Sequence, residues 1–351
     1  MAKTKLPVIG ITMGDPTGVG PEIIVKVLSR ESTFRFCRPV VLGDRIILER
    51  ALKLLNPSLP VNEMETLAEQ NLQPGALNLL SLSAIPLDKA GYGKPTKACG
   101  HGMVTYIKEA VRLASEGVID AITTAPISKK AMSDAGYTYP GHTELLAELT
   151  GSTDYVMMLA GERLRVVLVT IHCSLQDVFH LLTSEKIVKT ISITHDALRT
   201  FFGETNPRIA VAGLNPHAGE EGLFGSEEKT IILPAVERAR QSGINVEGPL
   251  PPDTLFYHAA RGGYGAVVSM YHDQGLIPLK LLHFEDGVNI TLGIPLIRTS
   301  VDHGTAYDIA GTGKANPASL LNALKVAAQM AVQNKVQLLL KESLRPHQPL
   351  T

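Results

Sequence analysis

Short runs rich in β-branched residues alternate with longer amphipathic runs from the start of this chain, and that rhythm restricts the fold more than any other feature. "PVIGITM" (7–13) reads as a buried strand. "PEIIVKVLSRE" (21–31) reads as a helix opened by Pro21, which suits a first turn because the N–H it lacks is not needed there. "RPVVLGD" followed by "RIILERALKLL" repeats the pair, and "VIDAITTAP" follows the long helical run "HGMVTYIKEAVRLASEG" (101–117). Strands that alternate with helices pair in parallel, so the expected class is α/β with a mainly parallel sheet. The middle departs from this: "DYVMMLAGERLRVVLVTIH" reads as two strands joined by a tight turn at Gly161 and Glu162, an antiparallel element inside a wound fold. Beyond it lie helices at about 184–203 and 226–242, strands in "RIAVAGLNPH" and "GAVVSMYHD", and a closing helix from about Pro317 to Lys341.

A length of 351 residues suggests about two domains, and 44% apolar with 19% charged residues suits a chain folded throughout. Lys plus Arg is 33 against 34 for Asp plus Glu, a net charge of −1 that gives no electrostatic footprint for nucleic acid or an anionic membrane. Any anionic ligand must therefore be met by a local cluster. The first apolar run ends near Met13, ahead of Gly14, Asp15 and Pro16, too short for a signal segment. No stretch approaches the ~18 apolar residues that a membrane span needs. The three cysteines, Cys37, Cys99 and Cys173, are odd in number and form no CxxC pair, so the expected compartment is the reducing cytoplasm.

Candidate chemistry gathers at the ends of expected strands, where open α/β sheets bind ligands. His172 follows "VVLVTI", His217 follows "RIAVAGLNP" and His272 follows "GAVVSMY". If parallel strands bring those ends together, three imidazoles converge into a ligand set for a catalytic divalent metal with open positions for substrate. Cys173 is a rival ligand, although adjacent strand residues point to opposite faces unless the chain turns. Asp253 in "PPDTLF" and Asp273 in "YHDQG" suit acid/base work or the orientation of an imidazole ligand, and equally a turn or helix cap.

A second constellation suits an anion. "GHTELLAELTG" places His142 and Thr143 at a helix start, where free N–H groups and the dipole attract negative charge; a plain N-cap would look the same for Thr143. Lys280, Asn289 and Arg298 lie in "IPLKLLHFEDGVNITLGIPLIRTS", an apolar region in which a buried cation needs a partner such as a phosphorylated substrate, unless it makes a surface salt bridge. Lys129 and Lys130 follow a strand in "TTAPISKKAMSDAG", with one or both free to be solvated.

"GDPTGVGPE" (14–22) joins strand to helix with Gly14, Gly18 and Gly20, a spacing that is not GxGxxG but lets backbone approach a ligand closely. Together with "HGTAYDIAGTGKANP" (303–317), it resembles the "GDGIGPE" and "HGSAPDIAGKGIANP" signatures of isopropylmalate and isocitrate dehydrogenases. That resemblance implies two α/β/α domains with a mostly parallel mixed sheet and a cleft between them. It also implies an NAD(P) site built from loops, with Gly14, Asp15, Gly18 and Gly20 on one side and His303, Gly304, Thr305, Ala306 and Asn316 on the adenosine half. Asp308 stands where NADP-using relatives carry a basic residue; a carboxylate accepts ribose hydroxyls and repels a 2′-phosphate, so NAD is expected over NADP. Histidines in place of that group's metal-binding aspartates, with "GHTE", "LNPHAGE", "GPLPPDTLF", "MYHDQGLIPLK" and "GVNITLGIPLIRTSVDHGTA", make the chain similar to the 4-hydroxythreonine-4-phosphate dehydrogenase family from about Ile9 to about Ala328.

The family resemblance implies metal ligands His172, His217 and His272, and substrate contacts His142, Thr143, Lys280, Asn289 and Arg298. It implies a homodimer whose active sites lie at the subunit interface, with one divalent metal per subunit (zinc, magnesium, cobalt or manganese) held by histidines of both chains, so the strand ends need not converge within one chain. The cofactor domain is then about residues 1–125 and 300–351, and the metal, substrate and dimerisation domain about 126–299. The implied reaction oxidises the C3 hydroxyl of 4-phosphooxy-L-threonine with NAD, giving a β-keto acid that loses CO2, with Asp253, Asp273 and Lys129 as candidate bases. The same resemblance covers 4-phospho-D-threonate and 4-phospho-D-erythronate, where a C2 hydroxyl replaces the amine. A phosphate acyltransferase would give no reason for "HGTAYDIAG", and a non-catalytic binding protein would be expected to have lost one of the eight ligand positions, all of which are intact.

Overall fold

The computed structural model describes residues 5–343; the outermost residues of the expected cofactor domain, 1–4 and 344–351, lie outside the described residues. Its twelve strands are β1 (Val8–Thr12), β2 (Arg38–Asp44), β3 (Val61–Met64), β4 (Leu77–Ser83), β5 (Ala121–Thr124), β6 (Val156–Ala160), β7 (Arg165–Leu168), β8 (Ile209–Ala212), β9 (Val246–Leu250), β10 (Ala266–Ser269), β11 (Val288–Leu292) and β12 (Arg298–Val301). They form one sheet in the order β3-β4-β2-β1-β5-β12-β11-β6-β7-β10-β8-β9. β1 is buried along its whole length, the mark of a strand covered on both faces by crossover helices.

Pairing is parallel except at β12–β11, β11–β6 and β6–β7. Six strands from β3 to β12 therefore run one way, and β7, β10, β8 and β9 run the other. The antiparallel element read at 154–172 is the β6–β7 hairpin, closed by Gly161 N–H donating to Leu164 O at 2.9 Å. Helices expected from the sequence are present at Gly20–Leu28, Arg45–Leu55, Lys97–Ser115, Ser184–Phe202 and Ala318–Ser343. The helix expected over about 226–242 is present as one continuous helical run, widened to π geometry over Glu228–Ile232 before the regular turns Leu233–Gln241, with Pro234 in the first of them. No helix of the described residues is long and apolar enough to cross a membrane.

Two alternations position the site. Along β12, Thr299 turns to the closing helix and donates to Ala323 O at 3.0 Å, so Arg298 and Ser300 face the other way. The register sets Arg298 opposite Ile122 and Thr291, and Ser300 opposite Thr124 and Asn289, so these side chains share one face of the sheet.

The helix Lys97–Ser115 crosses the short helix Lys129–Asp134 at Gly100, where an added Cβ would lie 2.1 Å from the Ala131 carbonyl oxygen. Alanine is the better helix former by ~1 kcal/mol, so a fall in melting temperature for Gly100→Ala isolates the backbone clash, worth roughly 1–3 kcal/mol of overpacking. An unchanged melting temperature would show that the two helices separate freely.

Candidate active site

Arg298 is the most constrained polar group of the cleft. It is 2% exposed at the start of β12, and its guanidinium donates to Thr291 Oγ1 at 3.0 Å and to Thr124 Oγ1 at 2.8 Å, leaving Nε without a partner. Burial pushes it down to about 9, an effect partly offset by Glu144. His142 shares the cavity wall with it, its Nε2 buried and unpartnered, and burial together with the Arg298 charge lowers its titration well below 6.5. Asn289 Oδ1 is a third buried polar atom with no partner. All three residues line one cavity of about 460 Å3 that runs along β12 from Arg298 to His303 and Gly304 and also includes Lys129, Thr143, Glu144 and His172. Orphaned buried polar atoms around an open space fit an absent polar ligand.

The helix His142–Thr150 starts at this cavity. Its N-cap is Gly141, with no side-chain cap, so Thr143 is not the plain N-cap that the sequence allowed and the first N–H groups remain available to an anion. Lys280 lies on the helix His272–His283 with Nζ 3.1 Å from Asp302 Oδ2; Asp302 lines the cavity and Lys280 reaches it through that carboxylate. Of the two adjacent lysines, Lys130 pairs with Asp134 at 2.6 Å in solvent, whereas Lys129 lines the cavity.

β7, β10 and β8 are adjacent and parallel, as the strand-end reading required, yet the three histidines lie past the strand ends. His172 and His272 come together with ring centroids 5.5 Å apart. Burial, with the neighbouring charges of His272 and Lys129, lowers His172 and favours the neutral ring that a metal needs. Asp273 accepts from His272 Nδ1 at 2.7 Å, which fixes the ring and leaves Nε2 as its acceptor atom. The chain bends at His172 and Cys173, so strand alternation does not apply there and both residues line one smaller cavity with His272 and Asp273. His217 is exposed in a turn beyond β8, and among the described residues no three His, Cys, Asp or Glu side chains are grouped closely enough to hold a metal. That turn runs left-handed through His217, Ala218, Gly219, Glu220 and Glu221, at roughly 1–2 kcal/mol for each non-glycine residue. Asp253 is exposed in the first turn of the helix Pro252–Ala259, without a capping bond and outside the cavity lining.

The two glycine-rich segments meet: Val19 N–H donates to Thr305 O at 3.0 Å. The glycines of the early segment serve this packing. An added Cβ would lie 2.3 Å from Pro126 O at Gly14, 2.8 Å from Thr305 O at Gly18 and 2.4 Å from Met13 O at Gly20. Asp15 is fully buried, its carboxylate accepting from Thr17 N, Thr17 Oγ1 and the Tyr307 hydroxyl at 2.8, 2.8 and 2.5 Å, so it joins the two segments. Burial and that bond push the Tyr307 phenol up to about 12. Asn316 accepts from Ala318 N–H at 3.0 Å and donates to Glu285 at 3.1 Å, which commits its amide to the closing helix. Gly304, in contrast, has open space where a Cβ would be and lines the cavity beside His303, and Asp308 is exposed. Sequence reading missed Thr124, Thr291, Asp302 and Tyr307, whose roles depend on strand register and loop contact; only their proximity in the chain to Arg298, His303 and Lys129 pointed toward them.

Comparison with known proteins gives the family. The model of the pyridoxal phosphate biosynthetic protein PdxA matches residues 35–327. The 4-hydroxythreonine-4-phosphate dehydrogenase of Geobacter metallireducens is 56% identical over 94% of this chain and 97% of its own. The D-threonate 4-phosphate dehydrogenase of Cupriavidus necator is 49% identical, covering 93% and 98%. A crystal structure of 4-hydroxythreonine-4-phosphate dehydrogenase from Klebsiella pneumoniae superposes with a TM-score of 0.86 at 45% identity, covering 94% of this chain and 99% of that one. The class is thus an oxidoreductase, a dehydrogenase of phosphorylated hydroxy acids, which implies a nicotinamide cofactor. Within that class, the chain belongs to the PdxA family of pyridoxal phosphate biosynthetic proteins.

Three measurements probe the cleft. Because Arg298 is pushed down to about 9 in the free protein, kcat/KM for a phosphorylated substrate should fall as pH rises through about 9, while kcat at saturation, with the phosphate restoring the charge, holds. Arg298→Met should lower kcat/KM by roughly 10- to 150-fold, the loss of charge-assisted bonds to phosphate. His142 titrates lower folded than unfolded, so the stability it contributes is full above about 6.5 and lost as pH falls below that value. Melting curves of wild type and His142→Asn should therefore converge on acidification below 6.5, and parallel curves would refute the assignment.

Proposed function

We propose that the protein is an NAD-dependent, divalent-metal-dependent dehydrogenase that oxidises the C3 hydroxyl of 4-phosphooxy-L-threonine to 2-amino-3-oxo-4-phosphooxybutanoate, which decarboxylates to 3-amino-2-oxopropyl phosphate. The observation that carries this reading is the trio His142, Asn289 and Arg298, each with a buried and unpartnered polar atom, around a cavity with an uncapped helix start. Such a site suits a phosphoryl group, with Arg298 supplying a planar donor and Lys280 a point charge held at the edge by Asp302.

When bound, the divalent ion supplies Lewis acidity at the C3 hydroxyl and the nicotinamide supplies the two-electron acceptor. His172 and His272 would hold the ion, with Asp273 fixing the His272 ring, and His217 completes the set in a dimer that shares its sites between copies. The dimer is supported by Ile277, Leu281 and Phe284, apolar residues 66%, 85% and 76% exposed on or just beyond the helix that begins with His272. His303, Gly304, Thr305 and Ala306 receive the dinucleotide at the open end of the cavity, Asp308 selects NAD over NADP, and Gly14, Asp15, Gly18 and Gly20 shape the facing segment. The chain divides between 1–125 plus 300–351 for the cofactor and 126–299 for metal, substrate and dimer contacts, and works in the cytoplasm. Proton removal at C3 falls to Lys129, which lines the cavity beside His172, whereas Asp273 is engaged with His272 and Asp253 lies away from the cavity.

A second reading, 4-phospho-D-threonate or 4-phospho-D-erythronate as substrate, is favoured by the 49% identical D-threonate 4-phosphate dehydrogenase. The appearance of reduced nicotinamide at 340 nm (its ~340 nm band is the cofactor's own), with each of the three phosphorylated acids, NAD and a divalent ion, separates them. The threonine derivative should give the highest kcat/KM, and a higher value for either hydroxy acid would overturn the preference. NAD should exceed NADP in the same assay. Lys129→Met should lower kcat by about a hundredfold or more with little change in KM.

A further inference from the structure

We propose that the turn Gly311–Gly313 is an anion nest filled by the chain's own Glu22, braced by Lys26, and that these two side chains are positioning residues for the loop that receives the dinucleotide. The inference rests on the reading that His303–Ala306 bind that cofactor.

Gly311 and Gly313 both adopt left-handed backbone, with φ of 82° and 70°. Their N–H groups converge on one carboxylate: Gly311 donates to Glu22 Oε1 and Gly313 donates to Glu22 Oε2 at 3.0 Å. Convergent N–H groups of this kind bind phosphates and other anions in many glycine-rich loops. Here the anion is internal. Glu22 is 1% exposed, in the first turn of the helix Gly20–Leu28, where the helix dipole also favours a negative charge. One turn further along, Lys26 donates to Gly313 O at 2.6 Å and to Ala315 O at 2.7 Å. The turn is walled from behind by Tyr92, which an added Cβ at Gly311 would meet at 2.4 Å, and Arg50 stacks on that ring at 4.0 Å.

The donors of the turn are thus spent inside the protein, and a dinucleotide phosphate has no access to them. What the clamp does instead is hold the far end of the loop, so that Gly304, with open space beside it, keeps a fixed place at the cavity. A nest without its anion leaves two half-buried N–H groups that converge on one point without their acceptor, and the loop would rearrange to satisfy them.

The test is direct NADH binding, followed by the cofactor's own fluorescence, for wild type, Glu22→Ala, Glu22→Gln, Lys26→Met and Gly304→Val, with melting temperatures recorded alongside. Glu22→Ala should weaken NADH binding by about tenfold or more, the equivalent of ~1.4 kcal/mol. Acetate, which has the atoms deleted by that substitution, should restore binding to Glu22→Ala and leave Lys26→Met unrestored. In turnover the KM for NAD should rise while kcat and the KM for the phosphorylated acid hold. Wild-type affinity in folded Glu22→Ala, or no recovery with acetate, would overturn the clamp. If Glu22→Ala does not fold, Glu22→Gln serves: its amide accepts from one N–H and opposes the other, so weakened binding is expected and unchanged binding overturns the proposal. Intact NADH binding by Gly304→Val would instead refute the cofactor reading on which the clamp rests.

Discussion

A guanidinium enclosed in a β-sheet with two threonine hydroxyls for partners sets conditions on everything around it. An unpaired buried charge is costly, and the cost is tolerable only where neighbours hold the group rigidly and a ligand can complete it. Arg298 meets the first condition because β12 lies between β5 and β11, each of which contributes one threonine to the same face. The second is met by the cavity along β12 and by the bare helix start at Gly141. The change of strand direction between β12 and β11 is what lets the parallel block that ends in the glycine-rich loop and the block that ends in histidines share one cleft.

Much of this was legible in the sequence, for identifiable reasons. The βα rhythm survived because buried parallel strands need continuous apolar runs, as in "VIGIT". The β6–β7 hairpin was visible because a glycine and a charged residue interrupt two apolar runs. Arg298 and Asn289 stood out as polar groups in an apolar stretch, although β11 and β12 themselves, hidden in that stretch, were not read as strands. β9 was hidden in another way: "VEGPL" carries Gly248 and Pro249 side by side in its interior, which weakens a strand signal, and β9 lies at the sheet edge, where the N–H that proline lacks is least needed.

The losses share one cause, which is that contact partners lie far apart in the chain. Nothing in "AITT" announces that Thr124 meets an arginine 174 residues later. Gly14, Gly18 and Gly20 signalled close approach correctly, but which backbone comes close, Pro126, Thr305 or Met13, depends on tertiary packing. His217 looked equivalent to its two companions because the left-handed stretch 217–221 contains only one glycine, Gly219, so the reversal of hand left little trace in composition.

The unbroken ladder from β5 through β12 and β11 to β6 bears on how the cleft admits its ligand. Walls tied by a shared sheet cannot swing as separate rigid bodies without breaking backbone hydrogen bonds in the middle of the molecule. Opening and closure must then come from coiling of the sheet or from the segments that overhang it, the stretch 125–128 and the stretch 302–306, which makes cleft width a matter of loop posture more than of hinge angle.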